Sequence, residues 1–220
     1  HAVIYATGAS SPQLPIPPLP YRVVRGQVES AGVIPQTQAL KTVLCHKGYF
    51  TPAVHGYHAM GSTYVKEDTR CDYRESEAEQ NLAMHQQSLQ QCAWMQEMQL
   101  PQTGRAAVRC STPDHLPLVG ALPDITQQLN DYAHLYQAKP AYTYPRAQNI
   151  AQQYILTGLG SRGLTTAPLM AEILVSQLLG QPLPVSRTIA DALCPNRFLI
   201  RDGIRRLDYL ARFKGNTAKE

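Results

Sequence analysis

A glycine-rich loop follows an apolar run that ends at Thr157. The loop reads Gly158-Leu159-Gly160-Ser161-Arg162-Gly163, and an apolar segment comes after it. A strand, a glycine loop and a helix in succession place backbone N–H groups and the positive end of a helix beside an anionic or electron-rich ligand. Arg162 would add a fixed positive charge there. A tight strand-to-helix turn without a ligand is the alternative. Because Leu159, not Gly, stands two residues before Ser161, a nucleophilic serine elbow is not predicted.

Two arginines lie in strand-like runs whose other residues are apolar or small, Arg25 and Arg109. An arginine on a sheet face can bind a carboxylate through two parallel hydrogen bonds, which lysine does less well. Tyr49 is predicted on the same sheet and could close such a site. Structural salt bridges for the arginines and a core position for the tyrosine are the alternatives.

The histidines and cysteines give weaker indications. Cys45, His46, His55 and His58 are close in sequence, but their spacing fits no common zinc pattern, so no metal site is predicted. His115 lies in a loop, where a role in capping the turn competes with a role in catalysis.

The composition is that of an ordinary globular chain. Of its 220 residues, 44% are hydrophobic and 16% are charged, and the net charge of +4 permits contact with a polyanion without predicting one. No apolar run is long enough to span a membrane. The five cysteines are odd in number and widely spaced, which favours buried thiols of a reducing cytoplasm over a disulfide framework.

The pattern along the chain predicts alternating strands and helices. Residues 2–5 resemble a buried parallel strand that ends in a small-residue turn, and the proline-rich stretch 12–20 is typical of a stiff connector. A capping box at 76–79 starts a helix that is predicted to reach about residue 98. A second helix begins near Pro168 and stops at Gly180, and a basic amphipathic helix covers 197–213. The remaining predicted strands are 21–28, 40–45, 49–54, 57–64, 105–111 and 154–157.

Five motifs in this order resemble the glycine oxidase and D-amino-acid oxidase superfamily; they occupy residues 6–9, 25–27, 48–52, 109–120 and 158–168. Within it, residues 159–168 and 195–198 resemble most the bifunctional enzymes of 5-methylaminomethyl-2-thiouridine biosynthesis in bacterial tRNA. The resemblance implies an α/β (α+β) fold, in which an incomplete FAD-binding Rossmann-like domain joins a mixed or antiparallel-sheet substrate domain of the D-amino-acid oxidase type. The implied divisions are 1–15 (last strand of the FAD-binding half), 16–115 (substrate-binding sheet), 116–185 (return to the FAD-binding domain) and 186–220 (basic helix).

The activity that this resemblance implies is an FAD-dependent demodification in the bacterial cytoplasm. It would remove the carboxymethyl group of 5-carboxymethylaminomethyl-(2-thio)uridine at the wobble position, giving aminomethyluridine and glyoxylate. The implied partners are the tRNA anticodon region and two further parts of the same parent protein, an N-terminal FAD-binding part and a methyltransferase that uses S-adenosylmethionine. No membrane is implied.

The resemblance also assigns residues. Catalytic roles fall on Arg109, Tyr49 and Arg162, and substrate binding on Arg25, Tyr49 and Arg109. The residues implied to bind the flavin are Gly8, Gly158, Gly160, Ser161, Arg162, Gly163, Leu164 and Thr165.

One departure from the family pattern concerns the cofactor. The family's N-terminal strand, its phosphate-binding glycine loop and its ribose-binding acid have no counterpart in these 220 residues, so we expect them alone to bind FAD weakly or not at all. Two other functions stay open: an oxidase of a free small amine such as glycine or sarcosine, and a non-catalytic module that binds RNA or a partner.

Overall fold

The computed structural model describes residues 1–139 and 142–214, and the chain divides into two compact units. The first unit comprises residues 1–22 and the described residues from 110 onward, and the second comprises residues 23–109. The strands are β1 (Val3–Tyr5), β2 (Arg22–Gly32), β3 (Leu44–Cys45), β4 (Tyr49–Phe50), β5 (Tyr57–Gly61), β6 (Val65–Lys66), β7 (Gly104–Ser111), β8 (Leu118–Pro123) and β9 (Asn149–Thr157). The α-helices are α1 (Glu75–Ser88), α2 (Ala93–Gln96), α3 (Ile125–Asp131), α4 (Gly163–Leu179), α5 (Arg187–Leu193) and α6 (Arg197–Ile204). None of them is long and apolar enough to cross a membrane.

The second unit is built on a sheet with the strand order β3-β4-β5-β2-β6, and β7 also pairs with β2. Strands β2 and β5 run antiparallel, with Val28 opposite Gly61 and Glu29 opposite Met60. Because side chains alternate along a strand, these two pairs face opposite sides of the sheet. One side, which we call the helix face, packs on α1 and α2 through Phe50, Met60 and Met95, all fully buried.

The helix predicted over 76–98 is two helices. Strand β2 fixes the residue at which α1 begins. The side chain of Gln27, on β2, accepts a hydrogen bond at 2.8 Å from the backbone N–H of Arg74, which is the N-cap of α1. Ser76 therefore lies inside the helix and the capping box does not form. The chain leaves the helix at Leu89, because Leu89 and Cys92 turn into the core of the helix face.

A fully buried histidine, His85, pairs with a half-buried one, His46. His85 on α1 is fully buried, and its Nδ1 lies 3.0 Å from Nε2 of His46. Burial, together with the charge of His46, lowers the pKa of His85 to about 4 from its ordinary 6.5. The folded protein thus keeps His85 neutral at a pH at which the unfolded chain is already protonated.

This pair predicts a loss of stability in mild acid. Between about pH 6.5 and pH 4 the unfolded chain binds a proton that folded His85 does not, so the free energy of unfolding should fall by about 1.4 kcal/mol per pH unit in that window. Urea unfolding across the window measures the slope. His85→Gln should flatten it, whereas His134→Gln, which changes an exposed histidine, should not. An equal slope in His85→Gln would contradict the assignment.

The first unit is built on a three-stranded sheet with the order β1-β9-β8, in which β1 and β9 are parallel and β8 is antiparallel to β9. Along β8, Leu118 and Leu122 point to a core that includes Phe198 and Tyr209, whereas Val119 points to α4 and packs on Ile173. Because successive side chains of β8 point to opposite faces of the sheet, this strand contributes to a hydrophobic core on each side, as in a layered arrangement of helix, sheet and helix.

Several elements of the first unit differ from the sequence-based predictions. Strand β1 is not buried, since Val3 and Ile4 are 52% and 46% exposed on a strand with only β9 beside it. A 3-10 helix, Gly8–Gln13, replaces the beginning of the predicted connector, and α4 starts at Gly163, not near Pro168. Strand β8 and helix α5 were not predicted.

The predicted basic helix 197–213 is interrupted. Helix α6 ends at Ile204, and Arg206 has the left-handed φ of 57°. This turn lets Tyr209 enter the core, where its hydroxyl donates to the carbonyl of Pro18 at 2.7 Å, and a 3-10 helix, Leu210–Phe213, follows. Residues 215–220 of the predicted C-terminal segment lie outside the described residues.

The five cysteines are free thiols in the structure. The expectation that they are buried is correct for Cys110 and wrong for Cys45 and Cys71, which are exposed. Burial raises the pKa of the Cys110 thiol.

Candidate active site

Arg109 lies near the end of β7, with its guanidinium against the backbone of Gly26 on β2. A Cβ atom added at Gly26 would stand 2.7 Å from Cζ of Arg109, so a side chain at this position would displace the guanidinium. Nη2 of Arg109 donates a hydrogen bond to Oγ of Ser62 at 2.8 Å. Among the described residues no carboxylate forms an ion pair with Arg109. The half-buried guanidinium therefore keeps donors available for an external anion.

Tyr49 shares this side of the sheet. In β4 it stands opposite Gly61, which in turn stands opposite Val28 of β2. Residues directly opposite each other point to the same side, and so do residues two apart on one strand. Tyr49 therefore lies on the same face as Gly26 and the guanidinium of Arg109, opposite to the helix face. We call this side of the second unit the arginine face.

Arg25 points the other way, into the helix face. It is fully buried: its Nε donates to Oε1 of Glu77 at 2.7 Å and its Nη2 donates to Oε1 of Gln27 at 3.0 Å. Further bonds from Arg25 go to the backbone carbonyls of Arg70 and Asp72. These contacts join β2 to α1 and leave no exposed surface for a ligand, so they give no support to the predicted role of Arg25 in substrate binding.

In the first unit, the predicted flavin residues collect at one edge of the sheet. Strands β1 and β9 are parallel, so the chain after Tyr5 and the chain after Thr157 emerge at the same edge. Gly8 lies there with φ of 53°, and Gly158 with φ of 71°. The hydroxyl of Thr157 ties the two loops together, since its Oγ1 lies 2.7 Å from Oγ of Ser11. Ligand sites of open α/β sheets are found at this kind of edge.

The glycine loop ends in the first turn of α4. Arg162 is the N-cap, and no side chain forms a capping hydrogen bond. The hydroxyls of Thr165 and Thr166 donate back to the carbonyl of Arg162, at 2.8 and 2.9 Å, so they do not occupy the N–H groups of the first turn. Leu164 is 99% exposed. A 3-10 helix, Gly160–Arg162, leads directly into this terminus, which has no side-chain cap and has the exposed Arg162 beside it. Its partial positive charge suits the electron-rich edge of a flavin ring.

The three glycines of this loop have the spacing G-x-G-x-x-G, with β9 before and α4 after. In a dinucleotide-binding unit the helix leads to a second parallel strand, which ends in an acidic residue that holds the ribose. Here α4 leads to α5. The spacing alone therefore does not assign a pyrophosphate site to this loop.

The other candidate side chains have structural contacts. Asp114 caps the turn before β8 and accepts two hydrogen bonds from Arg197, both at 3.0 Å. Although burial raises the pKa of Asp114, the hydrogen bonds from Arg197 and Thr112 prevail and lower it to about 2. His115 follows in this turn with φ of 62°. The described part of the chain holds no group of three or more side chains arranged as metal ligands, and His58 binds Thr37 and the backbone of Thr51.

Comparison with known protein families matches residues 1–177 to DAO, described as FAD dependent oxidoreductase. The chain belongs to this family. The match extends through both units up to the end of α4 and thus includes the arginine face and the glycine loop. It confirms the resemblance found in the sequence.

Two curated relatives carry the same name, tRNA 5-methylaminomethyl-2-thiouridine biosynthesis bifunctional protein MnmC. The relative from Pseudoalteromonas atlantica is 57% identical over 205 residues, which are 93% of this chain and 29% of the relative. The relative from Haemophilus ducreyi is 35% identical over 209 residues, which are 93% of this chain and 31% of the relative. The chain thus spans less than a third of the length of these relatives.

Solved structures with this fold confirm the predicted fold class. Glycine oxidase from Geobacillus kaustophilus matches with a TM-score of 0.64 at 14% identity, over 89% of this chain and 45% of that one. L-proline dehydrogenase from P. horikoshii matches with a TM-score of 0.64 at 17% identity, over 90% of this chain and 47% of that one. At these identities the likeness establishes the α/β fold of the DAO family and nothing finer.

Proposed function

We propose that this chain is the substrate-binding and flavin-facing part of an oxidoreductase that acts on a modified tRNA nucleoside. The substrate is 5-carboxymethylaminomethyl-(2-thio)uridine at the wobble position, and the products are the aminomethyl nucleoside and glyoxylate. The observation that carries the proposal is the guanidinium of Arg109, free of carboxylate partners among the described residues and held over Gly26. The name of the 57% identical relative, a tRNA 5-methylaminomethyl-2-thiouridine biosynthesis protein, supports tRNA as the substrate class.

The substrate end that Arg109 would bind is the carboxylate of an N-substituted glycine. A guanidinium binds a carboxylate through two parallel hydrogen bonds, which fixes direction as well as distance. Ser62 accepts a hydrogen bond from the group, Gly26 leaves space for it, and the side chain of Tyr49 lies on the same face. Arg109 is therefore the clamp, and Tyr49 lines the pocket.

The flavin end of the proposed site is the open N-terminus of α4. The N–H groups of Gly163, Leu164 and Thr165 would face the ring, with Gly8, Gly158, Gly160 and Ser161 leaving room for it. Arg162 would lie beside the ring. When bound, FAD accepts a hydride from the carbon beside the amine. We assign no residue of this chain to the pyrophosphate or the adenine, and the expectation of weak FAD binding by these 220 residues alone stays a prediction.

The reaction makes modest demands on protein acids and bases. The glycine methylene loses a hydride and the neutral amine loses its proton, which leaves a C=N bond in the substrate. Water then adds to that carbon, and cleavage of the C–N bond gives glyoxylate and the primary amine. Placement is the main contribution of the chain, since holding the methylene at the right distance lowers the barrier more than a side-chain base would.

The test uses the flavin-loaded full-length protein that carries this chain. It is incubated with tRNA bearing the carboxymethylaminomethyl wobble nucleoside and, separately, with glycine and sarcosine. We expect glyoxylate in a one-to-one ratio with aminomethyl nucleoside, both measured by mass spectrometry. Faster turnover of free glycine or sarcosine than of the tRNA would replace the proposal with a small-amine oxidase. No turnover of any of the three by a protein with bound flavin would favour a binding module.

A further inference from the structure

A groove of about 600 Å³ lies on the first unit, along α6. It has the volume of a pocket for a small organic ligand. Its lining includes three apolar side chains and three arginines, namely Ala147, Ile200, Ile204, Arg197, Arg201 and Arg205, and one carboxylate, that of Asp191, which lies 3.7 Å from the guanidinium of Arg187. All of them belong to the first unit.

The three arginines form a row. Arg197 and Arg201 are one helical turn apart on the same side of α6, and Arg205 is the C-cap residue directly after the helix. Arg197 is neutralised by Asp114 at 3.0 Å, and Arg201 lies 3.6 Å from the same carboxylate. Arg205 is exposed, and none of the ion pairs among the described residues involves it. The groove therefore has a surplus of positive charge at its Arg205 end.

Arg201 has a donor that is not used by the protein. Its Nε is buried and has no hydrogen-bond partner in the described part of the chain. Its guanidinium stacks on the ring of Phe198, with Cζ 4.7 Å from the ring centre, which fixes the orientation of the group. A buried donor without a partner costs free energy unless a ligand or water satisfies it. Arg201 therefore lines the groove with a guanidinium of fixed orientation whose donors are not all used by the described residues.

We propose that this groove binds one nucleotide of the tRNA outside the wobble position, with the phosphate at Arg201 and Arg205. The apolar side chains of Ile200 and Ile204 would lie against the ribose or the base. A charged row beside an apolar floor suits single-stranded RNA, whose backbone is anionic and whose bases have apolar faces. The inference rests on the proposed function, because it takes tRNA as the substrate.

The experiment compares Arg205→Glu with Arg105→Glu in the flavin-loaded full-length protein. Both change an exposed arginine that forms no ion pair among the described residues, and both change the net charge equally, but Arg105 lies on β7 of the other unit. Arg205→Gln is the second variant, because it removes the charge without placing an anion at the C-terminal end of α6. The probes are an unmodified tRNA transcript, the modified tRNA and the free carboxymethylaminomethyl nucleoside.

Arg205→Glu should raise the Kd for unmodified tRNA and the KM for modified tRNA by about tenfold at physiological salt. The slope of log binding constant against log salt concentration should become shallower by about one in Arg205→Gln. Turnover of the free nucleoside should not change, and Arg105→Glu should leave every value within about twofold of the unsubstituted protein.

The groove assignment is overturned if both charge reversals weaken tRNA binding equally, if neither does, or if the unsubstituted protein does not bind the transcript. Failure of the proposed function looks different. The unsubstituted protein would then release no glyoxylate from modified tRNA, whatever the effect of Arg205 on binding of the transcript.

Discussion

Replacing Arg109 by methionine is expected to lower kcat/KM for the carboxymethylaminomethyl substrate by about two to three orders of magnitude. The guanidinium has no carboxylate partner among the described residues, so its removal takes away the only positive charge that we assign to the substrate carboxylate. Steady-state release of glyoxylate measures the effect. Arg109→Lys should recover only part of the loss, because an ammonium group cannot form the two parallel bonds.

The placement of this guanidinium has its own test at Gly26. Alanine there would put Cβ 2.7 Å from Cζ of Arg109, so the guanidinium must move. Gly26→Ala should therefore lower kcat/KM in the same direction as Arg109→Met while flavin content stays unchanged. Full activity in both variants would show that the substrate carboxylate binds elsewhere.

Arg25→Met is expected to lower the free energy of unfolding by about 3 to 5 kcal/mol. The substitution removes the cation at 2.7 Å from the buried carboxylate of Glu77, which is 3% exposed and keeps Arg74 at 3.3 Å, and it removes the bonds that join β2 to α1. Urea unfolding monitored by circular dichroism gives the value.

The control is Arg105→Met on the same sheet, where the arginine is exposed and the change should stay within about 0.5 kcal/mol. If Arg25→Met barely changes the free energy of unfolding but raises KM strongly, Arg25 binds substrate and its structural assignment is wrong.

Arg25 and Arg109 show which features of the fold can be predicted from local sequence and which cannot. Both arginines were placed on one sheet from strand-like composition, and both do lie in its strands. Their opposite faces depend on the register of β2 against β5 and on the packing of α1, and neither is encoded in local spacing.

Local sequence patterns predict the bounds of an element correctly where those bounds depend on the local backbone. The stop of α4 at Gly180 was predicted, and the residue has the left-handed φ of 62° that glycine permits. Strand β7 was predicted to within a residue. The ends of two helices depend on long-range packing instead. Helix α1 ends where Leu89 packs against the core of the helix face, and α6 ends before Tyr209, which is buried in the core of the first unit.

The arginine face is assigned to a glycine-type carboxylate, and the N-terminus of α4 is assigned to the flavin ring. A crystal structure of the flavin-loaded full-length protein with glycolate tests both assignments, because glycolate keeps the carboxylate and methylene but has no amine to oxidise. We predict the glycolate carboxylate within hydrogen-bonding distance of the Arg109 guanidinium and a flavin ring in contact with residues 160–164. Glycolate bound away from Arg109, or a ring that does not touch that loop, would show that the assignment is wrong.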